Sequence, residues 1–142
     1  MIRQNIVFVE NKAGSLKKVT GIVAEAGINI YGFACFDAPE FALFRMVCSD
    51  PERAEQLLNE KGYMNRITQV IAVDMKDEVG SLDRLLGVLS DSNVNLNYIY
   101  TSFHRADCVP VVIIFSDEVW ETESVLKNHG FHLLGEQDEL DR

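Results

Sequence analysis

Six residues near the start of the chain, Asn11-Lys12-Ala13-Gly14-Ser15-Leu16, come back 66 residues later as Asp77-Glu78-Val79-Gly80-Ser81-Leu82. A repeat of this kind organises everything else in the sequence. At the same offset Gly21 meets Gly87, and Gly27-Ile28-Asn29-Ile30 meets Asn93-Val94-Asn95-Leu96. One extra residue brings Ser49-Asp50 onto Ser116-Asp117. A second brings Leu57-Leu58 onto Val125-Leu126 and Gly62-Tyr63 onto Gly130-Phe131. Both slips fall where loops are expected. The 142 residues therefore divide into two copies, 1–69 and 70–142.

Each copy has the same predicted element order. Ile2 to Val9 is apolar and β-branched and reads as a strand. Leu16, Val19, Val23 and Ala26 then form one stripe of a helix that stops at Gly27. Strands follow over Ile28 to Asp37 and Phe41 to Cys48. Asp50-Pro51 opens a second helix, because aspartate caps free amides and proline suits the first turn. Tyr63 to Gln69 closes the unit as a strand. In the second copy the strands are Val70 to Met75, Val94 to Phe103, Val109 to Phe115 and Phe131 to Leu134, with helices through Leu82 to Leu89 and Asp117 to His129. A βαββαβ unit folds as a ferredoxin-like α+β sheet with both helices on one face. The expectation is two such units side by side, an eight-stranded antiparallel sheet with four helices on one face. The run Val109 to Phe115 has no polar alternation, so it should be covered on both faces. A second sheet from a partner chain, in a homodimer through the open face, is the economical cover.

The repeated loop carries the candidate chemistry. Gly14 and Gly80 permit positive φ, and the amides of the following serine and leucine open from a helix N-terminus, where a carboxylate is favoured. Asn11 or Asp77 can accept from a nearby ammonium group. The competing reading is that glycine ends the turn and Asn or Asp only caps the helix.

Two βαββαβ units, each with Asn/Asp-x-x-Gly-x-Leu before its first helix and x-Asn-Ile/Leu after it, resemble a tandem ACT-domain protein, the amino-acid-binding regulatory module. The resemblance spans essentially the whole chain. It implies a stand-alone regulatory protein, not an enzyme, that binds a small amino acid where two ACT-like units meet, with no cofactor. The alternative is a ligand-free interaction or regulatory subunit of an amino-acid biosynthetic enzyme. Carried over by position, the site comprises Asn11, Ala13, Gly14, Ser15 and Leu16 with Ile28, Asn29 and Ile30. In the second copy it comprises Asp77, Val79, Gly80, Ser81 and Leu82 with Val94, Asn95 and Leu96. Ala13 and Val79 replace the family's proline and Asn11 its aspartate, which removes rigidity from both loops and a charge from the first.

Charge and composition exclude other classes. The formal net charge is −9, and all of it lies beyond Val70, where fourteen acidic residues face five basic ones. Such a surface repels phosphate backbones, so neither nucleic acid nor an anionic membrane is an expected partner. No run of about 18 apolar residues is present and the N-terminus does not read as a signal peptide, which points to the cytoplasm. Cys35, Cys48 and Cys108 are expected to be buried thiols. His129-x-x-His132 and the group His104, Asp107 and Cys108 are candidates for metal or nucleophilic chemistry, but neither has the paired spacing of a metal site.

Overall fold

The computed structural model describes residues 1–142. Its elements run β1 (Ile2–Glu10), α1 (Ser15–Glu25), β2 (Ile30–Asp37), β3 (Phe41–Cys48), α2 (Pro51–Glu60), β4 (Asn65–Asp74), α3 (Ser81–Asp91), β5 (Tyr98–Phe103), β6 (Pro110–Phe115) and α4 (Val119–Asn128), with a short 3-10 turn at Gln137–Asp141. The chain separates into two compact units, one of Arg3–Thr68 and one of Gln69–Arg142 with Met1–Ile2.

In the first unit β3 lies between β1 and β2 and is antiparallel to both, with Val7 opposite Phe44 and Cys35 opposite Phe44. The chain leaving α2 runs along the side of β1 away from β3, where the Phe8 amide donates to the Met64 carbonyl at 3.0 Å. Val7, Val9, Phe44 and Met46 from the sheet pack against Val19 and Val23 of α1 and Ala54 and Leu58 of α2. Those helical residues are the inward stripes of their helices. Each fully buried aliphatic side chain of this kind contributes roughly 1.5–3 kcal/mol. Helix α2 begins as its sequence dictates: the Asp50 carboxylate accepts from the Arg53 amide at 3.2 Å and Pro51 occupies the first turn.

The second unit repeats the arrangement. Strand β6 is antiparallel to both β4 and β5, with Val73 opposite Val112 and Thr101 opposite Val112. Its core joins Ile71, Val73, Val112 and Ile114 to Leu85 and Leu89 of α3 and Leu126 of α4. Helices α1 and α3 leave through the same left-handed residue, Gly27 at φ 73° and Asn93 at φ 57°. Asparagine tolerates that region better than other side chains.

Three expectations need correction. There are six strands, not eight. Nothing between Arg66 and Val73 can turn the chain, since the segment lacks glycine, proline, asparagine and aspartate. The segments expected as two strands therefore run on as β4, and the boundary of the units falls inside it. The last strand shrinks to a single bridge, Val73 with Leu133, because only four residues separate Gly130 from Gly135. Second, Val111, Val112, Ile113 and Ile114 are 0–4% exposed in the single chain, so a partner chain is not required to bury them. Third, only Cys48 is buried; Cys35 and Cys108 are exposed.

Candidate functional site

The glycine loops have the geometry their sequence implies. Gly14 and Gly80 sit at φ 83° and 89° immediately before α1 and α3, and neither helix start is capped by a side chain. The serine amides are not free, however. Ser15 donates to the Lys12 carbonyl at 3.3 Å and Ser81 to the Glu78 carbonyl at 3.2 Å, closing the turn. The first helical bonds run from Lys18 to Gly14 and from Arg84 to Gly80. What each helix leaves open is the pair of amides between these bonds, Leu16 and Lys17 in one unit and Leu82 and Asp83 in the other.

Beside the Gly80 loop lies a cavity of about 850 Å³. Its walls are the end of β4 (Asp74 to Lys76), the loop Glu78 to Ser81, Arg84 of α3, the β5–β6 hairpin (His104, Asp107, Val109) and the segment Gly130 to His132. Asp74 has both oxygens occupied, Oδ1 by His104 Nε2 and Oδ2 by His132 Nδ1. His104 Nδ1 lies 3.2 Å from the Glu139 carbonyl oxygen. Both ring nitrogens of His104 thus face acceptors, and only the imidazolium can donate to both. Burial pulls the His104 pKa down, but the hydrogen bond and charge of Asp74, the Glu139 carbonyl and Asp107 outweigh it and leave it raised. Arg84 donates to the His129 carbonyl at 3.2 Å and lies over the Phe131 ring, 4.5 Å from its centre.

The first unit has the equivalent cavity with different chemistry. It measures about 350 Å³, and Phe8, Met64 and Tyr63 stand where Asp74, His132 and Phe131 stand in the second. The loop charges are exchanged: Glu10 and Lys12 occupy the positions of Lys76 and Glu78. They form an ion pair of 2.8 Å in which a hydrogen bond and the opposite charge lower the carboxyl's pKa and raise the ammonium's.

Of the residues anticipated from sequence, Val79, Gly80 and Ser81 line the larger cavity and Ser15 the smaller one. Asp77 and Leu82 are exposed and line neither. Asn11 donates to Asp37 Oδ1 at 2.6 Å, while Ala13, Gly14 and Leu16 are exposed around it. Ile28 is buried in the first core with Ile30 packed against it. The Asn29 amide donates to Ser49 Oγ at 3.0 Å, clasping the strand start to the end of β3. Val94, Asn95 and Leu96 line a separate cavity of about 430 Å³ with Leu86 and Leu89. Within one unit, then, the loop and strand-start groups do not meet. No three His, Cys, Asp or Glu side chains converge as a metal-binding group. The residues that sequence reasoning missed are Asp74 and Arg84, and His104 and His132 were seen without their common partner. The signal was present in the copy comparison, where Phe8 becomes Asp74 and Met64 becomes His132.

Residues 1–140 match the family model of the ACT domain pair. The chain belongs to that family. Among solved structures it is similar to a protein from Bacteroides thetaiotaomicron, at 28% identity, 99% of this chain, 96% of that one and a TM-score of 0.89. It shares its fold with the regulatory subunit of aspartate kinase from Thermus thermophilus, at 15% identity, 90% and 91% coverage and TM-score 0.62. The same fold appears in aspartate kinase from Synechocystis, at 16% identity and TM-score 0.59, where 89% of this chain matches 25% of that one. No curated protein is significantly similar to the chain in sequence. No helix is long and apolar enough to cross a membrane.

Proposed function

We propose that this ACT domain pair is a regulatory protein that binds a small amino acid, and that the cavity beside Gly80 is its ligand site. One observation carries the reading. Within about 850 Å³ the second unit gathers carboxylates (Asp74, Glu78, Asp107) and cations (Lys76, Arg84) beside the Gly80 loop. A volume of that order suits a small molecule, and the mixture of signs suits a zwitterion. The first unit's smaller cavity, walled by Phe8 and Met64, has a single carboxylate, Glu10, which is already paired with Lys12, beside Lys18 and Lys61. A second reading is supported by the Thermus regulatory subunit, whose chain this one matches over 91%. On that reading the protein is a regulatory subunit of an amino-acid biosynthetic enzyme and needs no ligand of its own.

Thermal unfolding in the presence of each common amino acid tests the proposal. A ligand at about 100 times its Kd adds roughly 2.7 kcal/mol, which raises Tm by roughly 5–10 °C in a chain of this size. Gly80→Val should abolish the response, and Gly14→Val should leave it. A screen with no stabilising amino acid, or a response indifferent to Gly80→Val, would overturn it. A bound enzyme partner with an unchanged melting point in every amino acid would favour the second reading.

A further inference from the structure

The acidic end of the chain is held by contacts that converge on one side of the cavity. Leu140 is fully buried, and its carbonyl accepts from the Arg105 amide at 3.0 Å. The neighbouring carbonyl, Glu139, faces His104 Nδ1 at 3.2 Å. The Glu139 carboxylate is turned away, accepting from the amides of Gly135 at 2.9 Å and Glu136 at 3.0 Å. His104 and Arg105 are adjacent, so two of the contacts leave the same turn of the β5–β6 hairpin. The His104 ring is itself a wall of the cavity, and its other nitrogen is on Asp74.

We propose that His104 is a two-sided latch: protonated, it ties the C-terminal turn Gln137–Asp141 to the cavity wall, and a cationic ligand group on Asp74 substitutes for that proton. The proposal deepens the ligand-site reading by assigning the site a regulated element. Its logic is the proton count of one ring. A neutral imidazole has a single N–H for two acceptors. The bond to a carboxylate is charge-assisted and the bond to a carbonyl is not, so when the proton leaves, Asp74 retains the N–H and the Glu139 carbonyl faces a lone pair. The turn then loses one of its ties to the hairpin, while Leu140 and the Arg105 amide remain. A primary ammonium that pairs with Asp74 relieves the competition. The neutral ring is then free to place its proton on Nδ1 and keep the Glu139 carbonyl. Proton and ligand cation oppose each other at Asp74, and either one docks the turn.

The charges around the ring agree with this ordering. Asp74 faces it from β4, with His132 on that carboxylate's other oxygen; Asp107 lies in its own hairpin; the turn brings Glu136, Asp138, Glu139 and Asp141. Arg105 is the adjacent cation. The partners of His104 raise its pKa from the ordinary histidine value, which moves latch release in the alkaline direction.

The experiment is an NMR titration of the full chain, following the His104 ring protons, the Leu140 methyls and the exchange of the Arg105 amide. In the free protein, Arg105 protection should fall and the Leu140 methyls should become mobile as the pH rises through the His104 midpoint, beyond the tenfold per pH unit of intrinsic amide exchange. Asp74→Asn offers a neutral ring a donor at Nε2, so in that variant the turn should stay docked across the same range; a merely structural Asp74 would instead loosen it. Methylammonium chloride, compared with sodium chloride at equal concentration, should lower the His104 midpoint in the wild type and preserve Arg105 protection above it. Protection that ignores the His104 titration overturns the latch. Loosening in Asp74→Asn, or a midpoint indifferent to methylammonium, overturns the role of Asp74. None of these arms uses an amino acid, so a failed amino-acid screen and a failed latch are separate results.

Discussion

Two glycines seven residues apart in the second unit should respond to alanine with opposite signs. Gly80 precedes α3 at φ 89°, and Gly87 lies inside that helix. An added Cβ meets nothing within 4 Å at either position, so collision plays no part and only the backbone decides. At Gly80 the left-handed conformation costs an L side chain roughly 1–2 kcal/mol, while the lost freedom of the unfolded chain returns about 0.4–1 kcal/mol. The net destabilisation is then about 1 kcal/mol. At Gly87 no strain is involved, and glycine inside a helix is about 0.8–1.0 kcal/mol worse than alanine. Gly87→Ala should therefore stabilise by close to that amount. Asparagine enters the left-handed region readily, as Asn93 does at φ 57°, so Gly80→Asn should cost less than Gly80→Ala, and the β-branched Gly80→Val should cost more.

Urea unfolding followed by far-UV circular dichroism and by Trp120, the single tryptophan and a residue of α4 in the same unit, reads these differences directly. In heat scans each kcal/mol corresponds to roughly 2–4 °C. If both alanine variants shift in the same direction, or if Gly80→Asn is as costly as Gly80→Ala, the backbone argument is wrong. The ordering also bears on function. A Gly80→Asn variant that remains stable but loses the response to an amino acid would show that the ligand itself needs the open space at this position.

Other expectations follow from single contacts. Asn5 is fully buried, donates to the Pro51 carbonyl at 2.9 Å and accepts from Cys48 Sγ at 3.4 Å, so Asn5→Leu should destabilise the first unit by about 1–3 kcal/mol in urea melts. Leu126 is fully buried in the second core, and Leu126→Ala should cost about 2–5 kcal/mol. In a thiol-counting assay Cys35 and Cys108 should react in the native protein and Cys48 only on unfolding, because burial, ahead of its other influences, pushes the Cys48 thiol up to about 11. His104 has a raised pKa in the folded chain, so its contribution to stability is fully present below about 6.5 and is lost as the pH rises through the folded value. The stability difference between wild type and His104→Gln should therefore shrink on the alkaline side; a difference that grows there would contradict the assigned protonation.

Much of the fold could be read from residue order because a duplicated sequence states each structural requirement twice. Gly14 and Gly80, and Gly62 and Gly130, fall at equivalent turns and all have positive φ. Asp50-Pro51 named the start of α2 from local chemistry alone. What could not be read depended on partners far away in sequence. Strand β6 announced that it was buried on both faces, but nothing in Val111 to Ile114 says whether the cover belongs to the same chain. Cys35 and Cys108 have apolar neighbours, yet β2 presents Cys35 outward, and Cys108 sits in a left-handed turn at φ 58°. The Asp74 cluster on the cavity wall was missed for the same reason. His104 and His132 lie 30 and 58 residues from Asp74, and no local pattern joins them.

The comparison between copies is also the strongest functional argument the molecule offers. Positions that shape the backbone stayed alike: the glycine before each first helix, the left-handed residue after it, and the serine that closes each turn. Several positions that face the cavity did not, although Ser15 and Ser81, and Gly62 and Gly130, line both. Phe8 against Asp74, Met64 against His132, and the exchanged pair Glu10 and Lys12 against Lys76 and Glu78 all change the chemistry of one wall while the scaffold is held. At the cavity wall they replace two apolar side chains, Phe8 and Met64, with the ionisable Asp74 and His132. Asp74 and His104 stand partly out of water, which costs stability unless their hydrogen bonds offset the lost hydration. The two copies thus share a scaffold and differ in the chemistry of this wall, and that difference is what the paired variants Gly14→Val and Gly80→Val compare.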